Sequence, residues 1–371
     1  MDFSRNTPQR ELSELVRRIL ADKATPERLS ELEHDGVEFD TELWKALAGA
    51  GVLAAAAPRV VGGDGLGLAE QCSVLAELGR AVAPVPYLDS IMLGAGAIAG
   101  FGSGAQASRW AAPAVAGDLV IAPALAEPGG AEPDHPHTVA ERRGRSWRLT
   151  GTKTTVPAGP VAGLFLIPAA APGGTAVFAV GRSDAGVTVT AQKLTGGAGA
   201  AQIDLAGTEL GDDRLIGEPG ADLPRWLSER ATVGLCALQL GVTERALEMT
   251  AEHAKSREQF GRPIGAFQAV AQRLADAYID VEAIRLTMWQ AAWRLEAGLP
   301  AAQEIATAKF WAADGGHRVA HTAVHVHGGV GIDVTHPLHR YFTAAKRNEF
   351  ALGGATAQLR RLGALLAAES G

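Results

Sequence analysis

Eight apolar residues, Val270, Leu274, Ala277, Val281, Ile284, Met288, Ala291 and Leu295, recur at alternating four- and three-residue steps. That period keeps one face of a long helix apolar and predicts packing at a shallow crossing angle, as in a helical bundle. A partner helix in the same subunit and one in another subunit satisfy the seam equally well. The remainder of the chain divides by texture. From about 9 to 115, apolar residues fall at helical spacing in Leu12, Leu15, Val16 and Ile19 and again in Leu43 and Leu47. The Gly62-Gly63-Asp64-Gly65 string separates two such segments, and Cys72 to Leu78 resumes a helix that ends before Pro84-Val85-Pro86. From about 118 to 222, short apolar runs (Leu164 to Pro168, Ala176 to Val180) alternate with Gly, Pro and Asp clusters. Together with the β-branched run Gly186-Val187-Thr188-Val189-Thr190, they predict an antiparallel β-domain. Helix returns after Pro224. The expected fold is mostly α with a central β-domain: N-terminal helices over 1–117, a middle antiparallel β-domain over 118–222, and a C-terminal four-helix bundle over 223–371. Ser, Thr or Asp caps are not clear at the helix boundaries.

A net charge of −7 argues against general nucleic-acid binding, which wants a basic face. Cys72 and Cys236, the two cysteines, sit in apolar surroundings without metal-ligand spacing, which predicts buried thiols in a reducing compartment. Met1-Asp2-Phe3-Ser4-Arg5 opens a charged stretch without the apolar core of a signal peptide, and no apolar run reaches the roughly 18 residues of a membrane span. The expectation is a cytoplasmic protein with neither membrane nor nucleic acid as partner. His325 and His327 alternate around Val326, but no third ligand stands at metal spacing, so no metal is expected. Trp289 and Trp293, one helical turn apart, read as packing residues.

Arg257-Glu258-Gln259-Phe260-Gly261-Arg262-Pro263, with Phe267-Gln268 after it, resembles the flavin-contacting segment of acyl-CoA dehydrogenases. Other strings resemble that family in the same order: Pro58 to Gly67, Leu75 to Arg80, Ala126-Glu127-Pro128-Gly129, Leu149-Thr150-Gly151-Thr152-Lys153, and Val324 to Gly331. The resemblance runs over nearly the full length. It implies a flavoprotein that dehydrogenates acyl-CoA thioesters with FAD as cofactor and passes electrons to an electron-transfer acceptor. It implies that Arg257, Gln259, Phe260, Gln268, His325, Gly328 and Gly329 bind the cofactor, the arginine on the pyrophosphate and the glycine pair on the adenine of a neighbour's FAD. A guanidinium suits phosphate because its fork of donors is fixed and never deprotonates.

Two parts of the family pattern are missing. The glutamate base stands in most members in a Tyr-Glu-Gly-Thr string; here the stretch reads Ala351-Leu352-Gly353-Gly354-Ala355-Thr356, placing Leu352 or Gly354 at the base position. Neither accepts a proton. Members that place the base before the flavin arginine would put it at Ala231-Thr232. Glu229 lies two residues earlier, about 200° around the helix, and Glu349 is a second weak candidate. The flavin loop also departs: Glu127-Pro128-Gly129-Gly130-Ala131-Glu132-Pro133 carries a carboxylate and a proline where small donors belong, and Thr155-Val156-Pro157 replaces the family's Trp-Ile-Thr. A carboxylate near a pyrophosphate repels it.

Thr232 to Arg273, His336 to Phe342 and Leu352 to Thr356 resemble the base-lacking subunits of actinobacterial α2β2 steroid side-chain acyl-CoA dehydrogenases. That likeness implies a paralogous partner subunit owning the base, an FAD shared at the subunit interface, and an acyl-CoA substrate of steroid size. The alternatives are a self-sufficient homotetramer using Glu229 or Glu349, a flavin monooxygenase on the same fold, and a structural paralogue without flavin contact.

Overall fold

The computed structural model describes residues 5–130, 132–197 and 199–369. Ala131 of the flavin-loop string and Met1 to Ser4 of the charged N-terminus lie outside the described residues. Helices α1 (Thr7–Lys23), α2 (Pro26–Asp35), α3 (Thr41–Gly49), α4 (Val52–Ala55), α5 (Leu68–Arg80), α6 (Gly96–Phe101), α7 (Gly104–Gln106) and α8 (Ala112–Val115) come first. Strands β1 (Ile121–Pro123), β2 (Val139–Arg143), β3 (Ser146–Pro157), β4 (Leu164–Ala171), β5 (Gly174–Gly181), β6 (Val187–Lys193), β7 (Gly199–Gly211) and β8 (Leu215–Ile216) follow. Helix α9 (Leu223–Ser256), a short strand pair β9 (Glu258–Gln259) and β10 (Arg262–Pro263), and helices α10 (Gln268–Glu296), α11 (Ala302–His327), α12 (Leu338–Phe350) and α13 (Ala355–Glu369) complete the chain. Helices, then sheet, then helices is the architecture the sequence implies.

The chain forms two compact units: Met1–Ser30 with Gly67–Ala83 and Thr232–Gly371, and Glu31–Leu66 with Pro84–Ala231. In the first, helical unit, the middle of the α10 seam packs within the chain, while Val270, Leu274 and Leu295 stay half-buried. Ala277, Val281, Ile284, Met288 and Ala291 are buried, and α10 lies against α11 and α5. The tryptophan pair divides: Trp289 is half-buried, whereas Trp293 is exposed along with Tyr278, Ile279 and Leu286 of the same helix. Helices α5 and α9 approach so closely that a methyl group at Gly79 or Gly241 would strike a backbone carbonyl of the other helix. Glycine is required there by contact, not by backbone angle.

Capping is clearer than the sequence reading allowed. Asn6 accepts from the Gln9 amide at 2.8 Å while Gln9 Oε1 accepts from the Asn6 amide at 2.9 Å, and Ser103 with Gln106 repeats this reciprocal box. Each box satisfies two otherwise orphan backbone donors at a helix start. Asn6 lies outside the Ser, Thr and Asp set, whereas Ser103, and Asp40 ahead of α3, belong to it and cap helices that the sequence reading left unmarked.

In the second unit the sheet runs β6-β7-β3-β2-β4-β5-β8, with β1 beside β4. It is mainly antiparallel, as expected, but β1 and β2 both pair with β4 in parallel. The long β3–β7 ladder carries a bulge: Lys153 pairs with Ile203 and Val156 with Ala201, so two residues of β3 oppose one of β7. Alternation places Trp147, Leu149 and Lys153 on the buried face, and the bulge then turns Val156 inward instead of Thr155. Thr155 has the left-handed φ of 48° that this shift demands.

Candidate functional site

The sheet unit holds the stretches expected to line a flavin in the chain's own subunit. Several of their polar groups are satisfied internally. Lys153, with no exposed surface, donates to Glu127 Oε1 at 2.6 Å. The same carboxylate accepts from Thr138 Oγ1 at 2.6 Å, the Thr138 amide at 3.0 Å and the His137 amide at 2.6 Å. Gly151 makes this convergence possible, since a methyl there would sit 2.7 Å from Thr138 Cα. Burial raises the Glu127 carboxyl pKa, but the hydrogen bonds from Lys153 and Thr138 outweigh it and hold the group down at about 2. The bulge closes in the same way: the Thr155 amide donates to Gln192 Oε1 at 2.8 Å, and Pro157 has no N–H to offer. Glu132 and Asp134 stand exposed beyond Gly130. These residues present carboxylates and occupied donors, and they do not fit a flavin edge or a pyrophosphate.

The helical unit is built the other way. After α9 ends, β9 and β10 pair as a hairpin, with Arg262 opposite Gln259 and Pro263 opposite Glu258. Phe260 and Gly261 form its two-residue turn, with φ of 53° and 76°. Positive φ at both central positions is the type I′ geometry, which favours Asn-Gly. Phenylalanine is the wrong residue for that position on local grounds, and it is also 93% exposed. An exposed aromatic in strained backbone points to a role outside the fold. Its ring meets Phe267 edge-on at 6.2 Å, and the Arg262 guanidinium lies 4.2 Å over Phe267.

Arg257 is anchored by its backbone: its amide donates to His253 O, and its carbonyl accepts from the Ile264 amide, both at 2.8 Å. Its side chain is exposed and forms no ion pair among the described residues. Gln268 is the exposed first residue of α10. Gln259, Phe260 and His325 line one cavity of about 290 Å³ with Ile264, Phe267 and Arg273. The sequence reading quoted Phe267 within the flavin-contacting string but singled out neither Ile264 nor Arg273. Gly328 has φ 64° and ψ −140°, open only to glycine. Gly329 has neither positive φ nor any atom within 4 Å of a would-be methyl, so nothing in this chain demands glycine there. The exposed guanidinium, the apolar slot and the bare glycine face suit a phosphate and a flat aromatic group.

The loop expected to hold the base contains no ionisable residue between Phe350 and Leu359. Leu352 is left-handed at φ 56°, and its carbonyl and that of Gly353 accept from Gln358 Nε2 at 3.1 and 3.3 Å. Buried Lys309 holds the preceding helix end, donating to Asn348 O at 2.8 Å and Glu349 O at 3.1 Å; burial pushes its pKa down to about 8. The Glu349 carboxylate meets Lys346 Nζ at 2.6 Å and His317 Nδ1 at 3.2 Å. A proton-abstracting base needs an accessible carboxylate in a dry pocket, and these two partners occupy Glu349. Glu229 is half-buried on α9 and already engaged with a neighbour, while Ala231 and Thr232 are buried. Cys72 and Cys236 are buried free thiols, and burial pushes Cys236 up to about 12. His327 is buried and His325 exposed, and no group of three metal-ligating side chains occurs among the described residues. Among the described residues no helix is long and apolar enough to cross a membrane.

Comparison with known proteins bears on the family and the fold. Residues 6–118 match the family model for the acyl-CoA dehydrogenase N-terminal domain, and residues 225–366 match that for the C-terminal domain. The chain is 50% identical to the acyl-CoA dehydrogenase FadE27 of Mycobacterium tuberculosis, over 99% of each chain. Among solved structures it is similar to a chain of the ChsE4-ChsE5 complex from Mycobacterium tuberculosis, with a TM-score of 0.94, 50% identity and 99% of both chains covered. It is also similar to a chain of the Tcur3481-Tcur3483 steroid acyl-CoA dehydrogenase, with a TM-score of 0.91, 39% identity and 98% of both chains covered. Full-length likeness at this identity, on a fold of helices, sheet and helices, places the chain in the acyl-CoA dehydrogenase family of flavoprotein oxidoreductases.

Proposed function

We propose that this chain is the base-lacking subunit of a heteromeric acyl-CoA dehydrogenase and lends its C-terminal surface to an FAD held mainly by a paralogous partner. One observation carries the reading. The stretches expected to line the chain's own flavin have closed hydrogen bonds internally, whereas the Arg257 hairpin exposes a guanidinium with no ion pair among the described residues and a strained phenylalanine. Gly329, a glycine that this chain does not need, supports approach from outside.

FAD, when bound, supplies the hydride acceptor for α,β-dehydrogenation of an acyl-CoA thioester. Arg257 would pair with its pyrophosphate, while Gln259 and Gln268 would bond its polar edges. Phe260, His325, Gly328 and Gly329 would lie against its adenine. The α-proton would pass to a glutamate of the partner, because Leu352 and Gly354 accept none and Glu349 is engaged by Lys346 and His317. The relatives named in complexes support a heteromer, and the steroid dehydrogenase among them supports a steroid side-chain CoA ester as substrate.

Visible absorption with gel filtration tests the proposal, on the chain alone and co-produced with its paralogue. The expected result is a colourless chain alone and a complex carrying about one flavin per pair of chains. A yellow homotetramer with one FAD per subunit would refute it and return attention to Glu229 and Glu349.

A further inference from the structure

Three imidazoles that the proposed site does not use lie together behind it. His253 is on the last turn of α9 and His327 is the last residue of α11. Their rings stack 4.2 Å apart at 24°, and His336 leans on His327 at 5.3 Å. Two of these residues adjoin segments of the proposed flavin surface. The His253 carbonyl accepts the Arg257 amide at 2.8 Å. His327 immediately precedes Gly328, and its Nδ1 donates to Ala323 O at 2.9 Å. The stack therefore joins two segments about 70 residues apart in sequence, the arginine hairpin and the glycine turn.

We infer that His253 and His327 are positioning residues, a ring clamp that sets Arg257 and Gly328-Gly329 at a fixed separation so that both meet one dinucleotide; this rests on the flavin reading above. Neutral rings suit such a clamp, because two imidazolium rings in van der Waals contact would repel. The surroundings favour neutrality. Burial, then His336, then Arg257 hold His253 below its ordinary pKa, and burial does the same to His327 against the hydrogen bond to Ala323. His336 Nδ1 accepts from the Leu338 amide at 3.3 Å and its carbonyl accepts from His339 Nδ1 at 2.7 Å. Asp333 is the acidic group facing this end, its carboxylate accepting from the Thr335 amide and hydroxyl at 2.8 Å. Acid adds charge beside Arg257 and opens the stack.

The test uses the full chain in complex with its paralogous partner. It reads FAD retained after gel filtration and amide hydrogen exchange over residues 253–260 and 327–332. At roughly pH 7.5, His253→Ala should speed exchange in both segments together by about tenfold and weaken FAD binding by about tenfold, the scale of one aromatic contact. His253→Phe, which keeps a stacked ring, should restore both to within about threefold of the unmodified complex. As pH is lowered stepwise from roughly 7.5 through and below the ordinary imidazole range, with exchange corrected for its intrinsic rate, the unmodified complex should come to open as His253→Ala does while His253→Phe stays closed. Loosening confined to residues 253–260, or a phenylalanine variant that behaves like the alanine variant, would overturn the clamp. Arg257→Ala separates the two ideas: retention of flavin at pH 7.5 defeats the flavin reading, while coupled exchange still decides the clamp.

Discussion

The Glu127–Lys153 centre of the sheet unit and the Arg257 hairpin of the helical unit both carry charge, and they treat it oppositely. Glu127 receives four donors in a buried site, and its charge is fully used by the fold. Arg257 is held by two backbone hydrogen bonds and leaves its side chain outside. A buried ion pair gains from Coulomb attraction only when its geometry offsets the loss of water, so the first region reads as structure. An exposed charge contributes little to stability, so the second reads as recognition. The difference separates what a family motif keeps for folding from what it keeps for binding.

The largest effect that could break this contrast is Lys153→Met. It leaves the Glu127 carboxylate buried without its cation and should destabilise the sheet unit by about 3–5 kcal/mol in denaturant unfolding. A loss under about 1 kcal/mol would mean the pair is not structural. Acid probes the same centre. Glu127 has a folded pKa depressed to about 2, so its contribution is complete above the ordinary carboxylate value of 4.5 and is lost as pH falls from there towards 2. Thermal unfolding should therefore show a steep loss of stability over that interval, and Glu127→Gln should flatten it.

Phe260→Asn sharpens the other side. Asparagine tolerates left-handed backbone, and the ring it replaces is exposed, so stability should rise by about 0.5–1 kcal/mol while FAD retention in the complex falls several-fold. A variant that is more stable and keeps its flavin would remove the argument for a binding role. The smallest effect is expected at Glu349→Gln. Turnover of the complex with acyl-CoA and an electron acceptor should stay within about twofold, because the lost pairing is a half-buried surface interaction. A drop of about a hundredfold or more would identify Glu349 as the base after all.

Much of this was legible in the chain. The three- and four-residue steps of α10 name its buried face because helical period maps sequence directly onto one side of a cylinder. The glycine strings and the Arg257 segment are contiguous, so their order could be read without knowing the fold. The long β3 strand was legible in part. Its family string marked Gly151 and Lys153, but not that Thr138, just before β2, and Glu127, from the loop after β1, would meet there. Ile264, Phe267 and Arg273 joined the cavity only once α10 and α11 were side by side.

By itself the sequence determined the order of helices, sheet and helices, the Arg257 string and the absence of a carboxylate at Leu352 and Gly354, because each is a property of neighbours along the chain. Only the tertiary structure decided that the Glu127 carboxylate is closed off by Lys153, that Glu349 is engaged by Lys346 and His317, and that His253 stacks on His327. Those are contacts between segments far apart in sequence, set by which faces pack together, and no local period encodes them.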